Sequence, residues 1–71
     1  MCRSIKTLRR AEAPATDDEI RAAALQFVRK ISGYRQPSAR NAAAFETAVA
    51  DVEHACHHLL AALAQPARAA S

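Results

Sequence analysis

The chain predicts an all-α fold: an antiparallel two-helix hairpin, about 17–32 and 39–64, with an N-terminal arm packed against it and room for a short third helix. Three observations carry this. Breakers are scarce and fall between stretches, with one glycine, Gly33, and prolines only at Pro14, Pro37 and Pro66. Alanine, the strongest helix former, is abundant in both stretches. Apolar residues then recur at the 3.6-residue period that gives a helix one buried face.

The first helix has a clear start. Thr16 can accept from the backbone while Glu19 reaches back, a T-D-D-E capping box, and Asp17, Asp18 and Glu19 sit at the positive end of the helix dipole. Ile20, Ala23, Ala24, Phe27, Val28 and Ile31 follow as one apolar stripe, and Gly33 suits the left-handed position just past the end. Tyr34 to Pro37 make a short connection, with Ser38 as the next cap. From Ala39 to Ala64 no breaker intervenes, so the second helix runs about 39 Å at 1.5 Å per residue. Its stripe is Ala42, Phe45, Ala48, Val49, Val52, Cys56, Leu59, Leu60 and Leu63.

The two helices are unequal. A first helix of about 22 Å runs out opposite Val52 to Cys56, leaving Leu59, Leu60 and Leu63 beyond its reach. Their cover comes from the arm, which carries Ile5 and Leu8, or from a second copy of the chain. At 71 residues the chain is one domain close to the size below which a core needs outside help, so this end is an expected interaction surface. The domain spans 1–64, including a basic arm over 1–13, and 65–71 form a flexible tail. The expected partner is the chain itself, as a homodimer, or another protein.

The short run Val52 to Leu63 gathers all three histidines and one cysteine. On a helical wheel with Val49 at zero, Cys56 falls near 340 degrees, in the apolar stripe, whereas His54 and His58 fall near 140 and 180 degrees on the far side. One helix cannot bring both sets to one ion. The outward set, Asp51, His54 and His58, has the spacing at which imidazoles chelate zinc or nickel with a carboxylate one turn back. The pattern H-E-x-x-H is absent, so a solvated polar face is the plainer reading and no cofactor is expected. Cys56 reads as a core residue, and Cys2 as the remaining candidate for thiol or metal chemistry, with His57 at the rim.

Enzyme signatures are weak throughout. Ser4, Ser32, Ser38 and Ser71 have no defined relation to a histidine, no glycine-rich phosphate loop exists, and nothing marks a cleft between Glu46 and Glu53. Nucleic-acid binding has more material. Net charge is +3, and Arg3, Lys6, Arg9 and Arg10 concentrate it in the arm, with Arg21, Arg29, Arg35 and Arg40 further along. Two cysteines are too few for a disulfide framework, and no long apolar run or secretory leader is visible, so a cytoplasmic protein with no membrane role is expected.

The motifs M-C-R-S-I-K-T-L, P-A-T-D-D-E-I-R-A-A-A-L-Q-F-V-R-K-I-S-G and P-S-A-R-N together resemble a small bacterial family, the domain of unknown function DUF2277. The likeness runs from Met1 to Leu63. It implies that Cys2, Arg3, Phe27, Arg29, Lys30, Gly33, Pro37, Ser38, Asn41 and Phe45 belong to the family pattern, and it implies no activity for any of them. The resemblance also implies phenylalanines where this chain has Arg9 and Ala11, a proline where it has Ala13, and a longer chain beyond the second helix. Losing aromatic arm residues weakens intramolecular cover for the leucines and favours dimerisation. The three histidines fall outside the pattern. The reading that results is a non-enzymatic, self-associating or protein-binding module, with arm-mediated nucleic-acid binding as the alternative.

Overall fold

A computed structural model describes residues 5–10 and 13–64. It is all-α: α1 spans Asp17–Ser32, and a 3-10 turn, Ala39–Asn41, leads directly into α2, Ala42–Ala64, so the second helical rod begins and ends where its sequence predicts. Among the described residues there is no strand. The arm precedes α1.

Local chemistry explains the bounds of α1. The Thr16 hydroxyl accepts from the Glu19 backbone N–H at 3.1 Å and the Thr16 N–H donates to the Glu19 carboxylate at 2.9 Å, which satisfies two otherwise orphaned donors reciprocally. At the other end Gly33 has φ 78°, a left-handed conformation strained for any residue with a Cβ, and its N–H closes on the Arg29 carbonyl at 2.9 Å. The Arg29 guanidinium then reaches across the turn to the Arg35 carbonyl at 3.0 Å, bracing the connection. Ser38 precedes the second rod as expected but caps it differently. Its side chain makes no capping bond, and its carbonyl instead accepts from the Asn41 N–H at 3.0 Å, the tight geometry of a 3-10 entry.

The core is narrow. Ile20, Ala24 and Val28 on α1 and Phe45 and Val49 on α2 are buried, with Leu25, Ala48 and Val52 packed against them. These α1 residues are spaced by four, one ridge of the helix laid on α2. Phe27 and Ile31, expected in the same stripe, stand exposed, Ile31 at 71%. The reason is geometric: an apolar stripe on a helix is wider than the strip one neighbouring helix covers, and among the described residues no third helix lies on that side. Cys56, expected in the core, is half-buried for the same reason.

Candidate functional site

Two flanks of the hairpin differ in kind. On one, polar contacts stitch α1 to α2: the Arg21 guanidinium lies 3.1 Å from Glu46 and 3.3 Å from Glu53, and His57 stands 3.7 Å from Asp17 across the hairpin and 3.7 Å from Glu53 one turn back on its own helix. Glu46 first, then Glu53, push the Arg21 pKa above its ordinary value by accepting its hydrogen bonds. The pairings also define register. Asp17 faces His57 and, four residues on, Arg21 spans Glu53 and Glu46, so α1 runs antiparallel to α2 with its start near residue 57.

The opposite flank is apolar and open. Phe27, Ile31 and Tyr34 line a groove of about 350 Å³ with Phe45, Ala48 and Val52. Beyond the groove, the same side of α2 continues through Ala55 to Leu59 and Leu63, which are 57% and 52% exposed. From Asn41 through Ala44, Ala48, Val52, Ala55, Leu59 and Ala62 this line carries no charge. That charge-free line was the available sequence signal for the groove. It was obscured because Phe27 and Ile31 fit a core stripe equally well.

The arm reaches only part of the leucine end. Leu8, Pro14 and Ala15 line one recess with Leu60, Leu63 and His57, and Leu60 is half-buried there. The arm then turns along α1, where Ile5, Lys6 and Leu8 line a second recess with Asp18, Ala22 and Gln26. An ion pair anchors this path: Arg10 donates to both carboxylate oxygens of Glu19, at 2.7 and 3.2 Å, and to the Pro14 carbonyl at 3.2 Å. The Arg10 guanidinium first, and the Thr16 backbone N–H second, bring the Glu19 carboxyl down to about 2.

Of the basic arm residues, Arg10 is therefore engaged with Glu19, Lys6 and Arg9 are exposed, and Arg3 lies outside the described residues, as does Cys2. The histidines separate as the wheel predicts. His54 and His58 meet edge to face, their Nε2 atoms 3.1 Å apart with one ring donating to the other, while His57 turns to the ion-pair flank. Two nitrogens sharing a tetrahedral zinc at 2.0–2.1 Å would stand roughly 3.3 Å apart, so this pair has a chelating separation. Asp51 is exposed on the same helix, but among the described residues no group of three or more His, Cys, Asp or Glu is arranged to hold a metal ion. Also among the described residues, no helix is long and apolar enough to cross a membrane.

These features define a class: a small helical hairpin with one flank clamped by charge and the other left apolar. The chain belongs to the family described as an uncharacterized conserved protein, DUF2277, whose model matches residues 1–71. No curated protein and no solved structure matches it.

Proposed function

We propose that this protein is a non-enzymatic, self-associating helical module whose working form is a homodimer built on the apolar flank. The observation that carries this reading is that the exposed large apolar residues Phe27, Ile31 and Tyr34 share one groove, and that exposed Leu59 and Leu63 continue the same side of α2 by helical rotation, away from Glu46 and Glu53 that hold Arg21. At about 200 Å² for a large side chain, their exposed fractions leave roughly 500 Å² of surface, at the upper end of the patches found on monomers. With the alanines and Val52 between them, the patch approaches the ~800 Å² per partner of a standard interface. The small buried core supplies the energetic motive, since each leucine covered contributes about 1.5–3 kcal/mol. A reducing cytoplasm would keep the half-buried Cys56 as a thiol.

Sedimentation across a concentration series tests the proposal. A saturable dimer is expected, weakened by Leu59→Ala and Leu63→Ala more than by His54→Ala and His58→Ala. A chain that stays monomeric at every concentration would overturn it.

A further inference from the structure

We infer that the two ends of the apolar flank are complementary to each other across a two-fold axis at Val52, so that the leucines of one copy fill the groove of the next. The inference rests on the self-association reading and specifies its geometry. It starts from the register already described. Asp17 faces His57, Arg21 spans Glu53 and Glu46, and Ala24 and Val28 cluster with Val49 and Phe45, which together place Phe27 level with about residues 46–47 of its own α2 and Ile31 level with about residues 42–43. The groove lining is compatible with this, because Phe27 and Ile31 line it together with residues of α2 between Asn41 and Val52.

A second α2 laid antiparallel on this flank, with the axis at Val52, brings residue 52 + n of one copy opposite residue 52 − n of the other. Leu59, seven residues or about 10 Å past the axis, then comes level with residue 45 of the partner, and Leu63, eleven residues or about 16 Å past it, with residue 41. These are the levels of Phe27 and Ile31, to within one or two residues. Leu59 and Leu63 are spaced by four, and so are Phe27 and Ile31, so a single axis satisfies both pairs at once. Between them Ala48 and Ala55 allow the two α2 backbones to approach closely, and the line from Asn41 to Ala62 brings no charge into the contact.

The arrangement also answers the unequal lengths of the helices. Among the described residues, the part of α2 that projects past α1 meets only the arm, in the recess that Leu8 and Pro14 share with Leu63, and Leu59 and Leu63 stay 57% and 52% exposed. In the dimer it lies against the turn end of the partner, where the groove is, and the partner's projecting end is covered in return. Such an interface is isologous and closed, so it ends at two copies and does not propagate into fibres. His54 and His58 point away from it, near 140 and 180 degrees on the α2 wheel against about 280 degrees for Leu59, and remain outside the contact.

Mixing of two complementary variants of the full chain tests the geometry. Leu63→Lys and Ile31→Glu each place a charge in both copies of the contact, so each variant alone should dimerise about tenfold or more weakly. Mixed in equal amounts, they should recover association as a heterodimer, because the new lysine then meets the new glutamate at one contact and the other contact is native. Both side chains are exposed within one chain, so folding should survive. Should either variant lose helicity alone, recovery of helicity on mixing reads the same contact. As a second measurement, Val52→Cys in a Cys2→Ser, Cys56→Ser background should give a disulfide-linked dimer under mild oxidation. Self-association that is indifferent to both charges, or that is lost in each variant and not regained on mixing, overturns the pairing while leaving a dimer in place. A wild-type chain that never associates overturns the pairing and the proposed function together.

Discussion

At the residue scale, Glu19 combines two roles in one carboxylate. Its carboxylate closes the capping box on Thr16 and receives both arms of the Arg10 guanidinium, so one residue starts α1 and ties the arm to it. Capping box and position were legible in T-D-D-E, because a cap depends on residues three apart. The Arg10 partnership was not, because it joins residues nine apart through a loop whose path no local rule specifies. The depressed pKa has a consequence with a definite sign. A carboxyl at about 2 in the folded chain and near 4.5 when unfolded stabilises the fold fully above about pH 4.5. That contribution is lost progressively as pH falls to and through about 2. Acid titration followed by circular dichroism should therefore show a decline in stability across this window, and Glu19→Gln should be less stable at neutral pH with a shallower decline below pH 4.5.

At the element scale, α2 carries three kinds of surface along one rod: core at Phe45 and Val49, the clamped flank at Glu46, Glu53 and His57, and the histidine pair on the far side. The far side has no part in packing, which fits the plain reading of Asp51, His54 and His58 as a polar face. Joint replacement of these three by alanine should leave helicity intact and change stability by no more than about 0.5 kcal/mol each, measured by urea unfolding. The 3.1 Å approach of the two imidazoles adds a sharper arm to that experiment. Titration of untagged protein with zinc or nickel should show at most weak binding, lost in the triple variant with the fold retained. Tight stoichiometric metal whose removal unfolds the chain would mean that the face is a structural site.

At the scale of the whole molecule, the hairpin is lopsided. Charge holds one flank and nothing in the described chain covers the other, so the stability of a single copy rests on a core of five buried residues. A dimer changes this by mass action, because association stabilises only the folded form. The midpoint of thermal unfolding should rise with protein concentration for the wild-type chain, and in Ile31→Glu the same rise should need about tenfold or more higher concentration. The clamped flank should also be the salt-sensitive one. Raising ionic strength screens the exposed Arg21 and Glu46 pair while leaving apolar burial in place, so salt should destabilise the wild type more than it destabilises an Arg21→Ala variant, by a small margin.

The bounds of the two main helices, the capping box, the left-handed glycine and the separation of the three histidines were all determined by the sequence alone. Each follows from interactions among residues within a turn or two of one another, or from rotation about a single helix axis. Which edge of each apolar stripe is buried was decided only by tertiary structure. Ile20, Ala24 and Val28 could be told from Phe27 and Ile31 only once α2 had taken one side and the Arg21 pairs had fixed its register. Hydrophobic periodicity reports that a face is apolar and is silent on how wide a strip its neighbour covers. The residues left over, rather than the histidines and the basic arm that stand out in the sequence, form the surface on which the proposed function rests.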